Sequence, residues 1–192
     1  MEKQLNTDIL DRAIIFAVKA HSGVERRGKG FPYIVHPMEA VEIVATITSD
    51  QELLAAAALH DTVEDSDVTI DEIEKNFGKR VASLVATESD IEIPNMSQEE
   101  SWHIRKAHAI ERLANATYEE KVVAIGDKLS NMRAISRDYS IKGDKLWELF
   151  HVKEKEEHAW HYKALLKAFD DLKGTFPYEE FKMLVERVFG VY

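Results

Sequence analysis

Apolar residues recur at three- and four-residue steps along most of this chain, and no stretch of convincing length alternates apolar with polar residues. Steps of three and four place side chains on one face of an α-helix. The clearest case begins at Thr7, where the apolar positions are Ile9, Ala13, Phe16, Ala17 and Ala20. The spacing predicts an all-α fold.

Capping residues, prolines and polar loops predict where helices begin and end in the rest of the chain. Three Ser/Thr-x-x-Glu capping signatures mark helix starts, at Thr69 with Glu72, Ser97 with Glu100 and Thr117 with Glu120. A proline-led helix is expected from Pro37, and an alanine-rich helix from about Gln51 into His60 and Asp61. Further helices are predicted over 118–139, 145–169 and 178–188, with polar loops over 22–31 and 87–97.

Length and composition limit the class of protein. A chain of 192 residues, 45% hydrophobic and 31% charged, predicts one globular domain over residues 1–192, with the helices of 145–190 completing its core. The longest wholly apolar run, Leu53 to Leu59, is too short for a membrane span, and the N-terminus does not resemble a secretory signal. The absence of cysteine favours a cytoplasmic protein, and the net charge of −10 argues against binding to nucleic acid.

The pair His60-Asp61 closes an apolar helix, where an imidazole and a carboxylate need partners if they are buried. Taken alone, the pair is better explained as a polar helix end that faces water. Glu64 and Asp65 follow at four-residue spacing, however, and carboxylates gathered so closely repel one another unless a positive charge lies among them. The pattern therefore favours a divalent metal ion.

His36 and Asp127 are the further candidate ligands. His36 precedes a stiff proline at a predicted helix start, and Asp127 interrupts an otherwise apolar stretch of helix. The alternative for Asp127 is a surface ion pair or a solvated helix face. Two histidines and two carboxylates, with no sulfur, favour Mn²⁺ or another octahedral divalent ion over structural zinc.

A local basic cluster lies in the 22–31 loop of this acidic chain and comprises Arg26, Arg27 and Lys29. Guanidinium groups suit phosphate oxygens, and the neighbouring glycines allow the backbone to approach a ligand. The alternative is an ordinary solvated loop. His21, at the end of the first helix, is interpreted as a structural residue that could buttress the site.

Three blocks of sequence, residues 27–37, 59–65 and 127–133, together resemble the HD-type hydrolase domain of RelA/SpoT homologues. They read RGKGFPYIVHP, LHDTVED and DKLSNMR, and the resemblance extends over about 9–137. It implies an all-α, manganese-dependent pyrophosphohydrolase, similar to the small alarmone hydrolases, that removes the 3′-pyrophosphate from ppGpp and pppGpp.

The resemblance also implies roles for individual residues. His36, His60, Asp61 and Asp127 would hold the metal, and Glu64 and Asp65 would position or deprotonate the attacking water. Arg27 and Asn131 would contact the nucleotide, and Lys29 is a further candidate for phosphate binding. Two alternatives stay open: an HD phosphohydrolase for another nucleotide or phosphorylated metabolite, and a catalytically silent nucleotide-binding module. The sequence leaves a homo-oligomer possible.

Overall fold

The fold is all-α, as the apolar spacing predicts. The computed structural model describes residues 6–26, 28–89, 91 and 93–191, and within them the only extended pairing is an isolated antiparallel bridge between Glu25 and Pro32. No helix in these ranges is both long and apolar enough to cross a membrane. The chain divides into two compact units: residues 1–89 with 122–127, and residues 90–121 with 128–192.

Among its described residues, the first unit contains six helices and a segment of a seventh. The six are α1 (Asp8–Ala20), α2 (Val35–Ala45), α3 (Gln51–Leu59), α4 (Thr62–Asp65), α5 (Ile70–Phe77) and α6 (Lys79–Ala86). Residues 122–127 of α8 (Tyr118–Lys142) complete the unit. Every residue of α3 from Leu53 to Leu59 is buried, and α3 contacts α1, α2 and α6. The alanines of the predicted alanine-rich helix let these helices approach closely.

Local capping accounts for where several helices begin. The side chain of Asp50 accepts a hydrogen bond from the backbone N–H of Glu52 at the start of α3, and Arg80 holds Asp50 and Glu52 by ion pairs of 2.8 and 2.6 Å. Helix α2 begins at Val35 rather than Pro37. Proline is still accommodated there because the N–H groups of a first helical turn have no intrahelical partner.

The second unit contains α7 (Gln98–Ala114), the rest of α8, α9 (Lys155–Ala168) and α10 (Phe176–Phe189). Helices α7 and α10 both pack on α9. The capping boxes predicted at Ser97 and Thr117 are both formed. The buried side chains are largely aromatic and aliphatic and include Trp147, Tyr162, Leu165, Phe169 and Phe181.

The predicted continuous helix over 145–169 is wrong. Gly143, with a φ of 57°, ends α8, and a 3-10 helix follows over Gly143–Leu149. The chain then turns back on α9, where the His158 ring forms a 2.8 Å hydrogen bond with the Val152 carbonyl oxygen. Leu149, the last residue of this 3-10 helix, is 56% exposed. The prediction of a single domain whose core is completed by 145–190 remains a prediction.

Candidate metal centre

Four predicted side chains converge in the first unit. His36 lies in the first turn of α2, and His60 and Asp61 lie between α3 and α4. Asp127 lies on α8. His36, His60 and Asp127 are 3%, 2% and 7% exposed, so the solvent-facing interpretations of the histidine–aspartate pair and of Asp127 are wrong. We call these four residues the His/Asp cluster.

The polar atoms of the cluster lie at ligand-to-ligand distances. His60 Nε2 is 3.2 Å from His36 Nε2 and 2.8 Å from Asp61 Oδ2. His36 Nε2 is 3.3 Å from Asp61 Oδ2 and 3.1 Å from Asp127 Oδ1. Two ligand atoms that bind one ion at right angles, each about 2.1 Å from it, are about 3.0 Å apart. His36, His60 and Asp127 therefore form a group that could hold a metal ion.

Local hydrogen bonding orients His60 for this use. Its Nδ1 lies 2.8 Å from the Ala57 carbonyl oxygen, which can only accept a hydrogen bond. Nδ1 therefore carries the proton, and Nε2 faces the cluster. This is the arrangement that prepares a histidine to bind a metal through its second nitrogen.

Asp61 occupies the N-cap position of α4, yet its side chain makes no capping hydrogen bond. Aspartate at this position ordinarily accepts one from the first helical turn. Its Oδ2 atom instead faces the two histidines and accepts a hydrogen bond of 2.6 Å from the Tyr33 hydroxyl. The cluster, rather than the helix end, determines the orientation of this carboxylate.

A close contact between helices places Asp127. A Cβ atom added to Gly126 would lie 2.8 Å from Val44 Cγ2 and 2.9 Å from the Ala40 carbonyl oxygen. Only glycine lets α8 approach α2 this closely, which brings Asp127 within reach of His36.

Charge interactions in the cluster favour ionised forms. Burial lowers the pKa of His60, but the carboxylates of Asp61 and Asp127 outweigh it and raise that pKa well above its usual value. Burial raises the pKa of Asp61, and the neighbouring His60 and His36 outweigh it, so this pKa falls below its usual value. The cluster therefore attracts positive charge, in the form of protons or of a cation.

The predicted catalytic pair lies beside the cluster. Glu64 and Asp65 are both exposed on α4, and the Asp65 backbone N–H donates to the Asp61 carbonyl oxygen at 2.9 Å. This bond keeps Asp61 and Asp65 one turn apart, although α3 and α4 are separate helices. The charge of Asp65 also contributes to raising the Tyr33 pKa, after burial and the charge of Asp61, so Asp65 lies near the tyrosine hydroxyl.

Of the three residues predicted to contact the substrate, the structure describes two, Lys29 and Asn131. Arg27 lies outside the described residues. Lys29 is half-buried, and its backbone N–H donates to the Arg26 carbonyl oxygen at 2.9 Å. Asn131 is partly exposed, one helical turn beyond Asp127 on α8. Their contacts with a nucleotide remain predictions.

Hydrogen bonds connect the two described parts of the 22–31 loop, residues 22–26 and 28–31. The Arg26 backbone N–H donates to the Phe31 carbonyl oxygen at 2.9 Å, and Glu25 Oε1 accepts from the Gly30 N–H at 2.8 Å. Gly28 and Gly30 both have positive φ angles. A surface cavity of about 310 Å³ in this loop is lined by Gly23, Val24, Glu25, Gly30, Phe31 and Pro32. None of the four residues of the His/Asp cluster lines it, so the cavity is distinct from that cluster.

Two residues near the cluster received no catalytic role from the sequence. Tyr33 hydrogen-bonds to Asp61, and His21, whose ring lies 4.9 Å from that of Tyr33, is 3% exposed. Within the described part of the chain neither ring nitrogen of His21 has a hydrogen-bond partner, and burial lowers its pKa. The position of Tyr33 inside the PYIVHP block was the only signal available for it.

The chain belongs to the HD domain family, whose sequence profile it matches over residues 13–153. This confirms the family resemblance of the three sequence blocks.

Two relatives of this chain are named as guanosine-3′,5′-bis(diphosphate) 3′-pyrophosphohydrolases. The chain is 34% identical over 137 residues to guanosine-3′,5′-bis(diphosphate) 3′-pyrophosphohydrolase MESH1 of Danio rerio, a match over 69% of this chain and 72% of that protein. It is 36% identical over 129 residues to guanosine-3′,5′-bis(diphosphate) 3′-pyrophosphohydrolase of Aquifex aeolicus. That match covers 66% of this chain and only 18% of the longer Aquifex protein.

Solved structures confirm the fold. A metazoan orthologue of SpoT, described as hydrolysing ppGpp, superposes with a TM-score of 0.76 over 98% of this chain and all of its own, at 20% identity. A protein of Listeria monocytogenes EGD-e gives a TM-score of 0.70 at 28% identity, covering 81% of this chain and 99% of its own.

Proposed function

We propose that this protein is a metal-dependent pyrophosphohydrolase that hydrolyses ppGpp and pppGpp at the 3′ position and releases pyrophosphate. The observation that carries the proposal is the convergence of His36, His60, Asp61 and Asp127 on one buried point. The names of the relatives supply the substrate class.

In this proposal the four cluster residues hold Mn²⁺ or another octahedral divalent ion. Two neutral imidazoles and two carboxylates carry a total charge that balances a divalent cation, and nitrogen with oxygen donors suits Mn²⁺. When bound, such an ion supplies Lewis-acid activation of water and of phosphate oxygens. Asp61 is included as the fourth ligand because its Oδ2 atom faces both histidines.

The remaining residues handle the proton and the substrate. Glu64 and Asp65 lie one turn beyond the ligand pair, where a carboxylate can accept a proton from the attacking water. Lys29, together with Arg27, would hold phosphate oxygens of the substrate, and Asn131 would contact the nucleotide. Hydrolysis adds water across one ester linkage, so ppGpp yields GDP and pyrophosphate.

The proposal also includes the cellular location of the protein and the class of its partner. We place the activity in the cytoplasm, where nucleotides are found, with a small nucleotide rather than nucleic acid as the partner. The net charge of −10 supports that choice because binding to nucleic acid requires an excess of basic residues. A homo-oligomer stays an open part of the proposal.

The test is a substrate panel with purified protein and Mn²⁺. It includes ppGpp, pppGpp, nucleoside triphosphates and NADPH, with products separated by anion exchange and pyrophosphate measured directly. We expect GDP and pyrophosphate from ppGpp, with no turnover in EDTA. Turnover of another phosphorylated compound with ppGpp left intact would support an HD phosphohydrolase of different specificity. Binding of nucleotides with no turnover of any would support a silent module.

A further inference from the structure

We propose that Tyr33 is a positioning residue that fixes the metal ligand Asp61 with its hydroxyl and supports the 22–31 loop with its ring. The inference rests on the metal centre of the proposed function and assigns a role to a residue outside the predicted ligand and catalytic sets. It follows from four contacts made by one side chain: a hydrogen bond, two ring contacts and a cation–π contact.

The hydrogen bond meets the oxygen that faces the histidines. The Tyr33 hydroxyl donates to Asp61 Oδ2 at 2.6 Å, and this same atom lies 2.8 Å from His60 Nε2 and 3.3 Å from His36 Nε2. A carboxylate oxygen has two lone pairs, so it can accept this hydrogen bond and still bind an ion. Partners of this kind orient metal ligands, and their loss typically weakens metal binding by about 10–100-fold.

A tyrosine hydroxyl ordinarily keeps its proton up to about pH 10, so Tyr33 is a hydrogen-bond donor at neutral pH. Its proton is therefore available to Asp61. The choice of Asp61 Oδ2 as acceptor keeps that oxygen directed at the histidines rather than at the backbone N–H groups of α4.

The Tyr33 ring is held in place on two sides. The His21 ring, at the end of α1, lies 4.9 Å away with a 40° tilt, and the His36 ring lies 5.8 Å away edge-on. The Tyr33 backbone N–H donates to the Val24 carbonyl oxygen at 2.8 Å. These contacts give a defined role to buried His21, which packs against the tyrosine that orients Asp61.

The Tyr33 ring also contacts one residue of the basic cluster, Arg26. The Arg26 guanidinium lies over the Tyr33 ring, 5.1 Å from its centroid, at a distance typical of a cation–π contact. One aromatic side chain thus touches both a proposed metal ligand and the loop proposed to hold phosphate. Different parts of Tyr33 make these two contacts: the hydroxyl donates a hydrogen bond to Asp61, and the ring makes the cation–π contact with Arg26.

Two substitutions at Tyr33 separate these functions. Tyr33→Phe removes the hydroxyl and keeps the ring, whereas Tyr33→Leu removes both. Tyr139→Phe is the matched control, because it also deletes a hydroxyl bonded to a carboxylate, that of Asp144, outside the cluster. Mn²⁺ affinity is measured by isothermal titration calorimetry, folding of the metal-free proteins by circular dichroism, and kcat and KM for ppGpp at low and saturating Mn²⁺.

We expect Tyr33→Phe to bind Mn²⁺ about 10–100-fold more weakly than wild type while Tyr139→Phe binds it normally. Excess Mn²⁺ should restore the kcat of Tyr33→Phe, with KM for ppGpp unchanged. Tyr33→Leu should in addition raise KM at saturating Mn²⁺.

The inference is overturned if folded Tyr33→Phe binds Mn²⁺ within twofold of wild type, or if Tyr139→Phe loses as much affinity. Weaker Mn²⁺ binding by Tyr33→Phe in a protein that leaves ppGpp intact would support the role of Tyr33 and refute the proposed substrate. The two proposals therefore fail separately.

Discussion

The Nε2 atoms of His36 and His60 face each other at 3.2 Å within the buried part of the first unit. Since Nδ1 of His60 is committed to the Ala57 carbonyl oxygen, its Nε2 offers a lone pair to the cluster whenever the ring is neutral. Two lone pairs at this distance repel unless a proton or a cation lies between them. The raised pKa of His60 favours a proton at this position in the metal-free protein, and a divalent ion would displace that proton.

The first prediction is that Mn²⁺ binding releases protons. Asp61 and Asp127 raise the pKa of His60, so its ring is charged in the metal-free protein at neutral pH and must lose a proton to become a ligand. Affinity should rise with pH, by about tenfold per pH unit for each displaced proton, until the pH passes that raised pKa. Calorimetry at one pH in buffers of different ionisation enthalpy measures the proton count. Equal binding enthalpies in all buffers would contradict it.

The second prediction concerns the contact at Gly126. In an open helix, Gly→Ala increases stability by about 1 kcal/mol. Gly126→Ala should instead destabilise the protein by about 1–3 kcal/mol, because the new methyl group collides with Val44 and with the Ala40 carbonyl oxygen. Separation of α8 from α2 should also weaken Mn²⁺ binding. Urea unfolding and Mn²⁺ titration test this together, and a stabilised variant with normal affinity would show that the contact is not tight.

The third prediction separates proton handling from metal binding. Glu64→Gln and Asp65→Asn retain side-chain size but lose a proton acceptor. One of these two carboxylates accepts the proton of the attacking water, and the variant at that position should lower kcat by about 10²–10⁴-fold. Its Mn²⁺ affinity should stay within a few-fold of wild type. Asp67→Asn, an exposed carboxylate nearby in sequence, is the control and should keep full kcat. Full turnover in both Glu64→Gln and Asp65→Asn would remove this pair from the mechanism.

The fourth prediction tests whether the chain is one cooperative domain. All four cluster residues belong to the first unit, whereas Trp102, Trp147 and Trp160 belong to the second. Mn²⁺ at 100 times its dissociation constant should stabilise the native state by about 2.7 kcal/mol. In a single domain, tryptophan fluorescence and far-ultraviolet circular dichroism will report the same stabilisation. A fluorescence transition unaffected by Mn²⁺ would show that the units unfold separately.

Features encoded by neighbouring residues were predictable from the sequence. Ser97 with Glu100 and Thr117 with Glu120 form the expected capping boxes because both partners lie within one turn. The convergence of His36, His60, Asp61 and Asp127, which lie far apart in the chain, was anticipated for a different reason: these residue types are metal ligands, and the three blocks that contain them resemble one known family.

Other features were not predictable. The helical pattern of 145–169 conceals the break before α9, which begins at Lys155, and the hydrogen bond of the His158 ring to the Val152 carbonyl oxygen lies at that break. The need for glycine at position 126 arises from α2, more than 80 residues earlier. Tyr33 and Asp61 are 28 positions apart, so their hydrogen bond leaves no local pattern in the chain.

The most direct test of the central claim is Mn²⁺-dependent pyrophosphate release from ppGpp by wild type and by Asp127→Ala. The proposed site predicts stoichiometric GDP and pyrophosphate from wild type with Mn²⁺, no turnover in EDTA, and loss of both Mn²⁺ binding and turnover in Asp127→Ala. Full Mn²⁺-dependent turnover by Asp127→Ala would contradict the ligand assignment, and ppGpp left intact by active wild-type protein would contradict the substrate.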